Sequence, residues 1–238
     1  MDRYCIIGAG PAGLAQARAF RWAGVPFDVF ERHVDVGGLW DLENPGTPMY
    51  SSCRLISSRQ LSGFFGFPMP RDYPDYPTHV QVHAYLREFA RAHRLYDQIE
   101  FGREVVRVEL DGGEWVVGLV NGETRRYAGV VCANGMNWIP NWPEYFGKFT
   151  GQIRHAVDYR DKNQLAGRRV LVVGGATPAL ISRVTQPKLP RLHISASDAA
   201  IILFLSTYSV FRATSLLNTH LQSRWGSSRP SFRGYCVS

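Results

Sequence analysis

Paired cysteines, long apolar runs and C-terminal acids are all scarce in this sequence of 238 residues. The four cysteines are scattered with no C-x-x-C pair, which argues against a redox dithiol, a zinc site or a disulfide framework. The longest apolar run, Ala199 to Leu205, is far too short to span a bilayer. We expect no metal site and no membrane span. Because no targeting segment precedes the first strand, we expect a protein of the reducing cytoplasm.

The scarcity of acids concerns residues 176–238, where Asp198 is the only acid against seven lysines and arginines. These residues supply most of the net charge of +7. They form no cluster and match no nucleic-acid-binding module, so we expect no nucleic-acid partner.

The N-terminus, in contrast, contains every part of a dinucleotide-binding pattern. Tyr4 to Ile7 is a short apolar run typical of a buried parallel strand, and it leads into Gly8-Ala9-Gly10-Pro11-Ala12-Gly13. An alanine-rich helix to about Ala23 follows, then a second strand over residues 27–30 that ends in Glu31. The agreement of strand, glycines, helix, second strand and acid predicts a dinucleotide site rather than a mere glycine turn.

Each part of this pattern has a chemical reason. Gly8 permits the tight turn out of the strand, and Gly10 lets the main chain approach a pyrophosphate. Gly13 allows the helix to pack close to the strand, so that the N–H groups of the helix start face the anion. Glu31 is placed to accept hydrogen bonds from a ribose.

A second glycine pair begins Gly37-Gly38-Leu39-Trp40. It is similar to the segment of two-dinucleotide flavoproteins that passes beside the ribityl chain of the flavin, which favours FAD as the dinucleotide. The alternative is a loop with a packed tryptophan.

The middle of the chain predicts one helix and one meander. Thr78 is a plausible N-cap for a helix whose apolar face carries Val82, Tyr85, Leu86 and Phe89. Histidines 79, 83 and 93 lack metal-ligand spacing, and we interpret them as surface or capping groups.

From residue 104, three β-rich runs separated by Asp111-Gly112-Gly113 and Asn121-Gly122 predict a three-stranded meander. It leads to a strand at 129–132 and to the small residues Ala133 and Gly135, which allow a tight turn beneath the cofactor. This order predicts an α/β fold, a Rossmann-like FAD-binding domain with a β-meander.

Residues 146–161 narrow the family. Phe149, Gly151, His155, Tyr159 and Arg160 form a pattern that resembles the identifying motif of the flavin-containing monooxygenases, which are class B flavoprotein monooxygenases. The resemblance covers residues 1–175 almost continuously. Baeyer–Villiger relatives usually carry Trp in place of Tyr159, so the sequence favours the branch that oxygenates nitrogen and sulfur.

The resemblance implies an NADPH-dependent flavoprotein monooxygenase with FAD and NADPH as cofactors. It would insert one oxygen atom of O2 into an amine nitrogen or a sulfide sulfur through a C4a-hydroperoxyflavin. The implied FAD-binding residues are Gly8, Gly10, Pro11, Ala12, Gly13, Glu31, Gly38, Leu39, Trp40, Val105, Ala133 and Gly135.

One position departs from the family pattern. Many members place an asparagine over the flavin where this sequence has Ile56, which cannot donate that hydrogen bond. Ser57 and Ser58 are therefore the candidate catalytic residues. Two alternatives stay open, a Baeyer–Villiger monooxygenase and a non-catalytic remnant of an FAD domain, and the sequence names neither the substrate nor the oligomeric state.

A second nucleotide-binding unit begins near Arg168, and its Gly174 and Gly175 resemble the first glycines of the family's NADPH motif. After Gly175 the resemblance ends. Codons allowed for Ala176 to Ile181, read from their third bases, can spell Asn-Ser-Gly-Ser-Asp-Ile, which restores that motif, and residues 197–211 read in the same frame can also spell a family-like string.

We hypothesise a reading-frame shift near Gly175. The expected organisation is an FAD-binding domain over 1–165, the start of an NADPH-binding domain over 166–175 and an irregular tail over 176–238. We expect the chain as printed to be truncated and therefore inactive.

Overall fold

The computed structural model describes residues 2–140, 142 and 147–173 and the backbone of residues 201–204. Within these residues the strands are β1 Tyr4–Ile7, β2 Phe27–Glu31, β3 Ile99–Phe101, β4 Val105–Asp111, β5 Glu114–Leu119, β6 Thr124–Tyr127, β7 Gly129–Cys132, β8 Gln152–His155, β9 Val170–Val173 and β10 Ile201–Phe204. The α-helices are α1 Pro11–Trp22, α2 Arg59–Ser62 and α3 His79–Ala92. Short 3-10 helices cover Gly38–Trp40, Tyr96–Gln98, Ala156–Asp158 and Lys162–Leu165.

The first sheet is parallel, in the order β3-β2-β1-β7. Strand β1 lies in its interior, with Tyr4 paired to Phe27 on one side and to Gly129 on the other. Since side chains alternate along a strand, Cys5 and Ile6 point to opposite faces, and both are fully buried. The predicted strands 4–7 and 129–132 are confirmed residue for residue.

Two hydrophobic clusters cover the two faces of this sheet. The first contains Ile6 with apolar residues of α1 and α3, among them Leu14, Tyr85 and Phe89. The second contains Cys5 and packs the sheet against the meander. A sheet that is buried on both faces needs apolar side chains pointing to each face of its interior strand. The continuous apolar run over residues 4–7 provides them.

Helix α3 begins where the sequence predicts. Thr78 accepts a hydrogen bond from the Gln81 amide, and the Gln81 side chain accepts one from the Thr78 amide, so a capping box forms. The predicted apolar face is buried against the first cluster.

Strands β4, β5 and β6 form the predicted antiparallel meander, in that order. The Tyr127 hydroxyl donates to Asp28 Oδ2 over 2.9 Å, and the Arg125 guanidinium binds both carboxylate oxygens of Glu100. These contacts attach the meander to the parallel sheet. The predicted fold class, a Rossmann-like domain with a three-stranded meander, is confirmed.

A second parallel sheet has the order β8-β10-β9. Its central strand, Ile201–Phe204, belongs to the region for which we expected an irregular tail. A strand forms there because four consecutive apolar residues pair on both sides, with Gln152–His155 and with Val170–Val173. The remaining residues of that region, and Gly174 and Gly175, lie outside the described residues, so the domain boundaries stay predictions.

None of the helices in the described part of the chain is long and apolar enough to cross a membrane.

Candidate functional site

The first glycine loop follows β1 and is packed so closely that side chains are excluded. Gly8 has φ +101°, and a Cβ there would lie 2.5 Å from the Ala133 carbonyl oxygen. A Cβ on Gly13 would lie 1.9 Å from the Gly8 carbonyl oxygen. These two glycines are therefore required by the fold of the loop itself.

Gly10 differs from its two neighbours in the motif. Its backbone is extended (φ −74°, ψ −175°), and a Cβ there would come no closer than 3.7 Å to another atom, the Gly38 Cα. The protein alone would thus accept a side chain at this position, so the glycine leaves free space in front of the helix.

Helix α1 starts at this space. Gly10 is its N-cap and Pro11 its first residue, and no side chain caps the N–H groups of the first turn. These N–H groups and the positive end of the helix dipole form a place suited to an anion such as a pyrophosphate.

The second glycine pair touches the first loop. The Gly37 amide donates to the Ala9 carbonyl oxygen over 3.1 Å, and a Cβ on Gly38 would lie 3.2 Å from the Gly10 Cα. Leu39 and Trp40 then turn into the core, where both are buried. The sequence predicts each glycine segment, and the structure brings the two together.

Glu31 lies at the end of β2 and is 5% exposed. Its Oε2 accepts from the Ala9 amide over 2.6 Å, and its Oε1 accepts from the His33 amide over 2.8 Å. Each carboxylate oxygen keeps further lone pairs for a ribose hydroxyl. The carboxylate thus joins the glycine loop to the segment after β2.

The next residue, Arg32, stacks on an aromatic ring. Its guanidinium lies 4.0 Å from the centre of the Trp138 ring, and the Trp138 indole donates to the Asn134 carbonyl oxygen over 2.7 Å. Gly135 has φ +77°, and a Cβ there would lie 3.0 Å from the Trp138 indole nitrogen. The sequence interpretation included Ala133 and Gly135 and missed Arg32 and Trp138, since no local signal pairs residues so far apart.

Val105, another predicted FAD-binding residue, begins β4 and is half-buried. It packs on the cluster between sheet and meander and pairs with Leu119.

The candidate catalytic serines lie at the start of α2. The Ser57 and Ser62 hydroxyls share a hydrogen bond of 2.6 Å, and the Ser62 hydroxyl also donates to the Ser58 carbonyl oxygen over 2.9 Å. Ile56 is 45% exposed. A catalytic role for Ser57 and Ser58 remains a prediction.

The family-like motif packs onto the loop that follows the second glycine pair. Arg160 donates to the Met49 and Val157 carbonyl oxygens, and its own carbonyl oxygen accepts from the Ser51 amide over 2.8 Å. The rings of Tyr50 and Tyr159 lie 5.2 Å apart. Burial raises the pKa of both tyrosines, so both stay protonated near neutral pH.

The other motif residues have mixed environments. His155 is 3% exposed and its Nδ1 accepts from the Val157 amide over 3.2 Å, whereas Phe149 is half-buried and Gly151 exposed. Within the motif, Tyr159 and Arg160 therefore contact residues 49–51, and His155 is a buried imidazole that bonds to the following turn.

The interpretation of three histidines as surface or capping groups needs correction. His93 is the C-cap of α3, as expected, but His79 is only 9% exposed and His83 bonds to a backbone carbonyl of another segment. The helix buries its first turn against the loop at residues 51–53, which helical periodicity does not reveal. In the described ranges no group of three His, Cys, Asp or Glu residues can hold a metal ion.

Comparison with known proteins gives a consistent result. A family model described as flavin-binding monooxygenase-like matches residues 1–225. This match extends beyond residue 175, the end of the resemblance that the sequence motifs indicate. Indole-3-pyruvate monooxygenase YUCCA1 of Oryza sativa subsp. japonica is 32% identical over 219 residues, covering 84% of this chain and 52% of that protein.

Dimethylaniline monooxygenase [N-oxide-forming] 2 of Oryctolagus cuniculus is 29% identical over 249 residues, covering 98% of this chain and 42% of that protein. The chain thus spans about half the length of the curated relatives it matches.

Solved structures show the same fold. S-allyl-L-cysteine S-oxygenase from Allium sativum superposes with a TM-score of 0.76 at 24% identity, covering 87% of this chain and 62% of that one. A structure of OTEMO in complex with FAD and NADP superposes with a TM-score of 0.62 at 24% identity, covering 87% and 39%.

Proposed function

Because this chain belongs to the flavin-binding monooxygenase-like family, we propose that it is an NADPH-dependent flavoprotein monooxygenase whose two touching glycine loops hold FAD. The observation that carries this proposal is the free space in front of Gly10. This space is bordered by the uncapped start of α1 and by Gly38. The fold would accept a side chain at position 10, so we infer that the glycine there serves a bound ligand.

The expected cofactor pair, FAD and NADPH, is confirmed at the level of the family. The family is named for flavin binding, and one matching structure was solved with FAD and NADP. The described residues fit FAD, since Gly10 leaves free space in front of the uncapped N–H groups at the start of α1.

We assign the parts of FAD to successive segments of the site. The N–H groups at the start of α1 bind the pyrophosphate, and Glu31 accepts from the ribose hydroxyls. Arg32 and Trp138 border the adenine, because Arg32 directly follows the ribose-binding acid and stacks on the Trp138 ring. The segment Gly38–Trp40 lies along the ribityl chain.

The bound flavin would supply the redox and oxygen chemistry, while the protein orients it and excludes water. Leu39 and Trp40 directly follow the second glycine pair and are buried, and Tyr50 and Tyr159 are buried in a cluster of their own. These side chains would help to exclude water from the bound flavin.

We propose a soft nucleophile, an amine nitrogen or a sulfide sulfur, as the acceptor of the oxygen atom. Tyr159 supports this, because tryptophan is usual there in the Baeyer–Villiger branch. The relatives' names include an N-oxide-forming enzyme and an S-oxygenase. Turnover of a cyclic ketone in place of dimethylaniline or a thioether would favour the Baeyer–Villiger alternative.

We propose that the NADPH-binding unit begins at β9 and that the reading frame shifts near Gly175. Sequencing of the DNA that encodes residues 168–211 tests the proposed shift of the reading frame. We expect the codons of residues 176–181, read from their third bases, to spell Asn-Ser-Gly-Ser-Asp-Ile. Codons that spell something else would refute the shift.

Substitution of Gly10 by alanine tests the FAD site. The apo protein has room for this methyl group, so we expect the urea midpoint of the flavin-free chain to stay unchanged. The methyl group would occupy the place of the pyrophosphate, and we expect the affinity for FAD, measured by quenching of flavin fluorescence, to fall about tenfold or more.

Gly63→Ala is the matched control, because Gly63 also has negative φ (−73°) and lies outside the two loops. Equal FAD affinity of the Gly10 variant and the unsubstituted chain would refute the assignment. In the unsubstituted chain, bleaching of bound flavin by NADPH supports the enzyme, whereas FAD binding without bleaching supports the non-catalytic remnant.

A further inference from the structure

Two histidines and a carboxylate form a buried polar cluster behind the second glycine pair. His33 Nε2 lies 3.0 Å and His83 Nε2 3.8 Å from the same oxygen of Asp41, Oδ2. The three side chains are 9%, 18% and 9% exposed for His33, His83 and Asp41. A buried polar group is costly unless it is bonded, so this cluster needs an explanation.

His83 packs directly on the glycine pair. A Cβ on Gly37 would lie 2.7 Å from its ring carbon Cδ2, and Gly37 has φ +122°. His83 Nε2 lies 3.0 Å from the Val36 carbonyl oxygen. Because a carbonyl oxygen only accepts, Nε2 carries the hydrogen and donates it. The His83 side chain of α3 thus bonds to the residue before the glycine pair and packs on the first glycine of the pair.

Asp41 holds the other end of the same segment. Its Oδ1 accepts from the Glu43 amide over 3.0 Å, and its own amide donates to the Gly38 carbonyl oxygen over 3.4 Å. Its Oδ2 accepts from His33, whose amide in turn donates to Glu31. A continuous chain of contacts therefore runs from α3 through the second glycine pair to the carboxylate that binds the first loop.

We propose that His83 is a positioning residue for FAD, acting through Val36 and Gly37, with Asp41 and His33 as its partners. This inference rests on the proposed FAD site. The imidazole holds the second glycine pair against the first loop by the hydrogen bond to Val36 and by ring contact with Gly37. Neither the dinucleotide pattern nor the monooxygenase motif includes any of the three residues.

The hydrogen bond distinguishes this role from simple core filling. Phenylalanine would fill the space of the ring but leave the Val36 carbonyl without this donor. Glutamine can place an N–H at a similar distance along its side chain and can restore the bond. The pair His83→Phe and His83→Gln therefore separates positioning from packing.

We expect His83→Phe to weaken FAD binding about tenfold and His83→Gln to stay within about threefold of the unsubstituted chain, both measured by quenching of flavin fluorescence. His93→Phe is the matched control, because it is the same replacement on the C-cap of the same helix. We expect it to leave the FAD affinity unchanged.

A second measurement needs no cofactor. The Gly37 amide bonds to the Ala9 carbonyl oxygen and the Trp40 amide to the Gly37 carbonyl oxygen. In the flavin-free chain we expect hydrogen exchange of these two amides to be several-fold faster in His83→Phe than in His83→Gln or His93→Phe.

The outcomes are distinct. Failure of the unsubstituted chain to bind FAD refutes the proposed function, while faster exchange in His83→Phe still supports the positioning of the loop. Equal FAD affinity or unchanged exchange in His83→Phe, or the same losses in His93→Phe, overturns the role of His83.

Discussion

Two segments of this chain have the same kind of sequence, a four-residue apolar strand followed by glycines, and we refer to them as the first and the second unit. In the first, Cys5 and Ile6 of β1 are completely buried between two clusters. In the second, all four residues of β9, Val170–Val173, are only half-buried. The same local pattern thus occupies two different environments.

The difference shows that the same apolar strand pattern does not by itself determine how deeply a strand is buried. The first loop is shaped by close approach of Ala133, Gly38 and Glu31, which come from three other segments. Around the second unit the described neighbours of β9 are β10 and, beyond it, β8. The comparison can be tested by disturbing each unit in the same way.

The largest effect is expected for Gly13→Val. Its side chain would begin 1.9 Å from the backbone oxygen of Gly8, where nothing flexible can move aside. We expect the free energy of unfolding to fall by about 3 kcal/mol or more and FAD binding to be lost. Urea unfolding followed by circular dichroism measures it, and a stable Gly13→Val protein would contradict the close packing of α1 on β1.

Truncation of one apolar side chain in each unit compares the two strands directly. Ile6→Ala removes a fully buried side chain and should cost about 2–5 kcal/mol. Val172→Ala removes fewer atoms from a half-buried position and should cost about 1 kcal/mol or less. Equal losses in the two urea curves would show that both sheets are equally covered.

Removal of the Trp138 ring tests whether this residue borders the adenine of FAD in the first unit. We expect Trp138→Ala to weaken FAD by about threefold through loss of the stack on Arg32. FMN lacks the adenine, so its affinity should not change. Parallel titrations with the two flavins test this, and an equal loss for both would mean that the ring does not border the adenine.

The smallest effect concerns pH. Burial lowers the pKa of His79 and of His93 on the helix that covers the first unit. The stability that these neutral imidazoles contribute is complete above the ordinary pKa of 6.5 and declines as the pH falls from there through the lowered values. The urea midpoints at pH 7.5 and pH 5.5 should therefore differ less in His79→Asn than in the unsubstituted chain. An equal difference in the two proteins would exclude a contribution from His79.

Much of the first unit follows from sequence alone. The apolar run over 4–7, the spacing of Gly8, Gly10 and Gly13 and the acid at the end of β2 are local signals, because strand, turn and helix start lie within one short segment. Thr78 and the period of α3 predict that helix and its buried face for the same reason.

The tertiary structure decided which of these segments meet. His83 reaches a carbonyl 47 residues away, Arg32 stacks on Trp138, and Ile201–Phe204 becomes the centre of a sheet. None of these contacts has a local pattern, because each joins side chains or strands brought together only when the whole sheet is formed. The sequence by itself determined the glycine loops, and folding determined what holds them against each other.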